Sequence, residues 1–254
     1  MAKVSEIYAV MCRIAPPELQ TGFDNAGFLV GHAEREVDTV LLSLDITPAV
    51  IDEAEELGAG LIVSHHPVIF HPLRSVTADG EGALVLRLAE KGIAAICMHT
   101  NLDIAEGGVN DVLIRLLGGE PEGALDDDGC GRVGHLPEPL PMAEFLRRCK
   151  ETLKVNALRY VDGGKSVSRL AVMGGSGGDA FRDALRLGCD TYVTADVKYH
   201  QFLDASALGL NLIDADHFCT ENPVMSVVLE KLRAAFPAER FVLSARHRQT
   251  VSVF

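Results

Sequence analysis

Three apolar runs in the first half of the chain, at 39–44, 60–64 and 93–98, have the length and composition of buried β-strands. Apolar residues at helical spacing fill the gaps between them, at 48–57 and 82–91. Each predicted helix is followed by a glycine, the residue that most readily adopts the left-handed conformation that closes a helix. This series of strand, helix, strand, helix and strand predicts a parallel sheet with right-handed crossovers.

The second half of the chain repeats this pattern at a distance of 130 positions. The segment that begins at Thr39 lies over the segment that begins at Arg169, with strand over strand, helix over helix and Gly58 over Gly188. A strand ending at Ile213 is then the counterpart of the third strand. We therefore predict an α/β protein of two similar linked domains, with mostly parallel sheets and flanking helices.

The segment 120–141 interrupts the repeat and is rich in Gly, Pro and Asp, which is typical of a boundary between domains. We place the second domain at 126–219 and assign residues 1–125 and 220–254 to the first. Two strand-like runs near the end of the chain, at Arg240–Ser244 and from Gln249 onward, are expected to rejoin the first sheet.

The amino-acid composition excludes several classes of protein. The chain has 254 residues, 48% of them hydrophobic, which is enough to bury a large core. The formal net charge of -13 argues against duplex nucleic acid as a partner, because such binding needs a basic face. No apolar run approaches the roughly 20 residues of a membrane helix, and the N-terminus lacks a signal pattern, so we expect a cytoplasmic protein.

Histidine and carboxylate side chains stand at the ends of the predicted strands. His65 and His66 follow the second strand, which Pro67 stops, and His99 and Asp103 follow the third. In open α/β sheets, ligands bind beyond the carboxyl ends of the strands. A pair of neighbouring histidines is also an ordinary way to end a strand, so a metal site and a set of unconnected polar residues both remain open.

The counterpart of the third strand is followed by His217 and Glu221. Asn222 precedes Pro223, and a residue before proline is biased away from the helix, so we predict that His217 and Glu221 lie in a loop and not one helical turn apart. Asp45 ends the first strand. Asp24 lies in a turn, where it either reaches a polar site or satisfies its own backbone.

Imidazole and carboxylate groups without thiolates suit zinc, iron, manganese or nickel. The strand-end candidates are His65, His66, His99, Asp103, His217 and Glu221, with Asp45 and Asp24 as outliers. Five such ligands exceed the needs of one tetrahedral zinc ion. A pair of ions bridged by a carboxylate fits better, and Asp103 is the candidate bridge.

Five motifs, DNAGFLVG, LSLD, SHHP, HTNLD and DADHFCTENP, occur in this order over nearly the whole chain. Their combination resembles the Nif3-like (DUF34) family. The resemblance implies a dinuclear centre of two divalent metal ions with a water or hydroxide between them, and it leaves the catalytic residues unknown. The implied ligands are His65, His66, Asp103, His217 and Glu221. Candidates for orienting these ligands are His99, Asp45 and Asp24.

Members of this family are commonly named GTP cyclohydrolase 1 type 2 homologues, which implies a metal-dependent hydrolase acting on a small-molecule or nucleotide substrate. The alternative is a non-enzymatic protein that handles metal or regulates a partner. The resemblance also implies a homo-oligomer, a toroidal hexamer whose cavity admits small molecules and excludes most duplex DNA. The glycine-rich segment Gly174–Asp179 is either a phosphate cradle or an ordinary turn.

Overall fold

The computed structural model describes residues 1–253. The strands are β1 Ala2–Lys3, β2 Gly27–Val30, β3 Glu36–Val37, β4 Thr39–Ser43, β5 Leu61–Ser64, β6 Ala94–Cys97, β7 Glu120–Gly123, β8 Arg132–Leu140, β9 Arg159–Val161, β10 Val167–Val172, β11 Thr191–Thr194, β12 Asn211–Asp214 and β13 Arg240–Leu243. The helices are α1 Val4–Ile14, α2 Pro48–Leu57, α3 Ala83–Lys91, α4 Thr100–Ile104, α5 Val109–Leu116, α6 Met142–Leu153, α7 Phe181–Arg186, α8 Tyr199–Ala207, α9 His217–Glu221 and α10 Pro223–Ala235. Within residues 1–253, no helix is both long and apolar enough to cross a lipid bilayer.

The chain forms two compact units. Unit 1 comprises Met1–Ala105 and Met225–Arg248, and unit 2 comprises Glu106–Val224 with the segment that begins at Gln249. The expected boundaries, after 125 and 219, differ from the edges of these units. The segment 120–141 is not a linker, because it forms β7 and β8. Pro121 lies in the edge strand β7, and Pro137 and Pro139 lie where the register between β8 and β10 shifts; a sheet tolerates proline at both kinds of position.

Unit 1 is built around a five-stranded sheet of order β13-β4-β5-β6-β2. The strands β13, β4, β5 and β6 are parallel, and β2 pairs antiparallel with β6. Side chains from β4 and β5, among them Leu41 and Ile62, form a core with Val50 and Ile51 of α2. The predicted strand, helix and strand series is confirmed, so the residues that follow β4, β5 and β6 lie at one edge of this sheet.

Of the two strands predicted near the end of the chain, one forms. β13 joins the first sheet parallel to β4, but residues 249–253 form no strand. Thr250, Val251, Ser252 and Val253 are exposed, so no burial of apolar surface compensates for ordering them in a ladder. The prediction of the second strand is therefore wrong for the described residues.

The segment after β13 is fixed by a carboxylate of α2. Glu53 is buried and accepts hydrogen bonds from the Ser244 hydroxyl, from the Ala245 N–H at 2.8 Å and from the Arg246 N–H at 3.2 Å. Burial alone would raise the pKa of Glu53, but these hydrogen bonds outweigh it and lower the pKa. The ionised carboxylate therefore holds the chain that leads to His247.

Unit 2 repeats the plan of unit 1 in a six-stranded sheet of order β7-β8-β10-β11-β12-β9. Its central strands β10, β11 and β12 are parallel. Val40 pairs with Leu61 in unit 1, and the residues 130 positions later, Leu170 and Thr191, pair in unit 2. The predicted repeat is thus reproduced in the strand register, and unit 2 also places the residues that follow β12 at the carboxyl edge of a parallel sheet.

Candidate metal centre

The unit 1 part of the site begins where β5 ends. The backbone N–H groups of His65 and His66 both donate to the carbonyl of Leu44, at 3.1 and 2.9 Å. The His65 side chain is fully buried, and its Nδ1 lies 2.8 Å from the carbonyl oxygen of Met98. A carbonyl oxygen only accepts hydrogen bonds, so Nδ1 carries the ring proton. The lone pair on Nε2 is then the one that can bind a metal ion.

The second histidine is oriented by a carboxylate. Nδ1 of His66 lies 2.7 Å from Oδ1 of Asp45, and Oδ2 of Asp45 lies 3.0 Å from Nε2 of His247. Burial alone would raise the pKa of Asp45, but hydrogen bonds from His247 and His66 outweigh it and hold the pKa well below its usual range. The ionised carboxylate accepts from both rings, so Nε2 is again the nitrogen of His66 that could bind a metal ion.

The third histidine has the same arrangement. Nδ1 of His99 lies 2.8 Å from Oδ1 of Asp24, whose other oxygen accepts from the N–H of Thr100 at 2.9 Å and from its hydroxyl at 2.6 Å. Burial would raise the pKa of Asp24, but the hydrogen bonds from His99 and Thr100 lower it to about 2. Asp24 Oδ1 also accepts from the N–H of Asn25 at 2.7 Å, so the side chain both stabilises its own turn and contacts His99.

The three imidazoles lie against one another. Their ring centroids are 4.9 Å apart for His65 and His66, 5.2 Å for His65 and His99, and 5.5 Å for His66 and His99. One ring nitrogen of each lies within 4.8 Å of the other two. Because every Nδ1 is hydrogen-bonded to an oxygen acceptor, Nε2 is the ring nitrogen through which this group could hold a metal ion.

A carboxylate of α4 completes the unit 1 group. Oδ1 of Asp103 lies 3.6 Å from Nε2 of His65, and both atoms are electron-pair donors. Two ligands with bonds of about 2.1 Å to one tetrahedral ion lie roughly 3.4 Å apart, so this separation fits a shared metal ion. The structure brings His65, His66 and Asp103 together as the sequence predicted, and it places His99 among them.

In unit 2, the predicted loop at His217 and Glu221 is wrong, because these residues form the helix α9. The Thr220 N–H donates to the carbonyl of Asp216 at 3.0 Å, and the side chain of Asp216 caps the helix by accepting from the Cys219 N–H. Asn222 adopts a helical conformation although proline follows it. The proline bias acts on that single residue and is outweighed by the cap, so His217 and Glu221 are one turn apart.

The two side chains of α9 are in contact, and the imidazole is held between carboxylates. Nε2 of His217 lies 3.1 Å from Oε2 of Glu221, and Nδ1 lies 2.7 Å from Oδ2 of Asp196. Burial would lower the pKa of His217, but the hydrogen bonds to Glu221 and Asp196 outweigh it and raise the pKa to about 9. A proton therefore occupies the position between Nε2 and a carboxylate that a metal ion can take instead.

The glycine-rich segment Gly174–Asp179 lies directly against Glu221. A Cβ atom on Gly175 would meet Oε1 of Glu221 at 2.0 Å and Nε2 of His217 at 3.1 Å. Gly175 also has a φ of +65°, a conformation that favours glycine. The Gly175 N–H donates to the Thr220 hydroxyl at 3.0 Å. Glycine is thus required at position 175 because the backbone there lies against Glu221 and His217. The sequence did not predict this role.

His247 is a second residue that the sequence reasoning missed. It contacts Asp45 from the segment after β13, and the sequence around position 247 contains no pattern that predicts this contact. Histidine in a polar tail is ordinary, so only the paired strands β4 and β13 reveal that this part of the chain lies near Asp45.

A model of the Duf34/NIF3 (NGG1p interacting factor 3) family matches residues 2–249. The chain belongs to this family. It is 37% identical over 251 residues to a GTP cyclohydrolase 1 type 2 homolog of Clostridium perfringens, with 95% of this chain and 96% of that protein covered. It is 34% identical over 239 residues to a GTP cyclohydrolase 1 type 2 of Helicobacter pylori, with 92% and 93% covered.

The α/β fold of this NIF3-family chain is confirmed by a solved structure. The chain is similar to a Bacillus cereus protein related to NIF3, with a TM-score of 0.89 and 24% identity over 100% of this chain and 99% of that one. The donor chemistry also fits a divalent metal ion. Imidazoles whose Nδ1 atoms are fixed by oxygen acceptors, beside a carboxylate, are the usual ligands of zinc and related metals.

Proposed function

We propose that this NIF3-family chain holds a dinuclear centre of divalent metal ions and is a metal-dependent hydrolase for a small-molecule or nucleotide substrate. The observation that carries the proposal is the group of three imidazoles in unit 1. Each has Nδ1 hydrogen-bonded to an oxygen acceptor, and one nitrogen of each lies within 4.8 Å of the others. A metal site accounts for such a group, with His65 and His66 as ligands and His99 packed beside them.

The proposed ligand set is the one that the family resemblance implied. Its members are His65, His66, Asp103, His217 and Glu221. The buried carboxylate of Glu221 and the buried imidazole of His65 support it, because buried groups of this kind are paired or bind metal. Two ions with this many ligands leave positions for a substrate, and when bound they supply the Lewis acidity that hydrolysis requires.

Three aspartates accept hydrogen bonds from the histidines of this region. Asp45 and Asp24 accept hydrogen bonds from Nδ1 of His66 and His99, so Nε2 is the nitrogen of each ring that could bind a metal ion. Asp196 accepts a hydrogen bond from Nδ1 of His217, which fixes this ring with Nε2 towards Glu221. The names of the relatives from Clostridium perfringens and Helicobacter pylori make GTP the first nucleotide to test on this chain.

The test is hydrolysis by metal-loaded protein on a panel of GTP, other nucleotides and phosphoesters. We expect turnover that is lost in Glu221→Gln and in His66→Ala, since each removes a proposed ligand. His135→Ala is the matched control, because His135 is a half-exposed histidine of β8 bonded to Glu122 on the surface of unit 2. Metal binding without turnover, together with metal transfer to an apo-acceptor, contradicts the enzyme and supports a metal-handling protein.

We also propose that the chain assembles as a toroidal hexamer, as the family resemblance implies. Exposed apolar side chains in unit 2, at Tyr160, Tyr199 and Leu203, support subunit contacts. Closed symmetry of this kind is usual for soluble homo-oligomers. Size exclusion coupled to light scattering measures the mass directly, and a mass of one or two chains at micromolar concentration contradicts the ring.

A further inference from the structure

A short hydrogen-bonded series leads from the end of the chain to a proposed metal ligand. Nε2 of His247 lies 3.0 Å from Oδ2 of Asp45, and Oδ1 of Asp45 lies 2.7 Å from Nδ1 of His66. An ionised carboxylate only accepts hydrogen bonds, so both rings donate to it. Each oxygen of Asp45 therefore has its own imidazole donor.

Asp45 needs a second donor to be held in one orientation. Its side chain is 41% exposed, whereas that of His247 is only 7% exposed. A half-exposed carboxylate that follows a strand and has a single partner can rotate towards water. The donor on Oδ2 fixes the plane of the carboxylate, and with it the direction of Oδ1 towards His66.

The segment that carries His247 is itself held in place. The His247 N–H donates to the Ser244 hydroxyl at 3.0 Å, and that hydroxyl donates to Glu53 of α2. Glu53 also accepts from the next two backbone N–H groups. The ring of His247 is thus presented to Asp45 by a fixed stretch of chain and not by a mobile tail.

We propose that His247 is a positioning residue of the metal centre, which sets the metal affinity of His66 by donating a hydrogen bond to Asp45. The inference rests on the proposed metal-binding function. In metal sites, a group that orients a ligand typically changes affinity by about 10–100-fold when it is removed. His247 belongs to this class of residue although it lies far from the metal-binding motifs in sequence.

Two variants separate the hydrogen bond from simple packing. His247→Phe keeps an aromatic ring of similar volume and removes the donor, while His247→Gln keeps an N–H donor at the position of Nε2. We expect His247→Phe to bind cobalt(II) about 10–100-fold more weakly than the wild type and to shift its visible absorption spectrum. His247→Gln should restore most of the affinity, and His135→Phe is the control on the surface of unit 2.

Cobalt(II) competition titrations and spectra decide the outcome, with thermal unfolding measured on every variant. A folded His247→Phe with wild-type affinity and spectrum overturns the inference, as does equal weakening in His247→Phe and His247→Gln. A wild-type chain that binds no cobalt, zinc, iron or manganese overturns the proposed function and the inference with it. Metal binding by the wild type therefore distinguishes the two failures.

Discussion

His65→Ala is expected to lower metal affinity by more than about 100-fold, since changes to groups that merely orient ligands already cost about 10–100-fold. His65 is fully buried, and its Nδ1–H donates to the Met98 carbonyl, so Nε2 is fixed in direction. Oδ1 of Asp103 lies 3.6 Å away and cannot replace the lost nitrogen. Isothermal titration with zinc, together with elemental analysis after desalting, measures the effect.

His135→Ala removes one histidine without touching this group and is expected to retain wild-type affinity. Circular dichroism of metal-free His65→Ala checks that the variant folds. Truncation of a large buried side chain typically lowers the free energy of unfolding by about 2–5 kcal/mol. Unchanged metal occupancy in folded His65→Ala contradicts the assignment of His65 as a ligand.

Gly175→Ala is the second change with a large expected effect. The new methyl group would lie 2.0 Å from Oε1 of Glu221, so either the carboxylate or the loop must move. We expect a loss of stability of about 1–3 kcal/mol from overpacking, in addition to about 1–2 kcal/mol for alanine at positive φ. Metal affinity should fall by at least about 10-fold, because the displaced Glu221 loses its orientation.

Gly188→Ala is the matched control for this change. Gly188 has a φ of +75°, and a Cβ atom built on it meets nothing within 4 Å, so alanine there has the conformational cost without the clash. Chemical denaturation and zinc titration of both variants separate the two effects. Equal losses of stability and unchanged zinc affinity in the two variants would show that contact between Gly175 and Glu221 has no role in the site.

The sequence predicted the parallel core and the proximity of His65 and Asp103, because both follow from local patterns. Apolar runs bounded by glycine and proline define β4, β5 and β6, and parallel strands place their carboxyl ends at one edge. His65 and Asp103 therefore had to lie near each other once these strands were recognised. The repeat at 130 positions carried the same reasoning to β10 and β11.

Other features depend on interactions that no local pattern reports. The helix α9 forms because Asp216 caps it with its side chain, and this outweighs the bias of Asn222 before Pro223. The segment 120–141 has a loop-like composition, but pairing with a neighbouring strand turns it into β7 and β8. The contact of His247 with Asp45 joins distant parts of the chain and requires the pairing of β13 with β4.

The metal content of the wild-type chain tests the central claim most directly. Protein purified without chelators and then reconstituted separately with zinc, iron and manganese is desalted, and metal is measured by elemental analysis against protein measured by amino-acid analysis. We expect about two divalent ions per chain, since two ions satisfy five nitrogen and oxygen ligands with positions left for a substrate. A content near zero with every metal would contradict the metal centre and the hydrolase built on it.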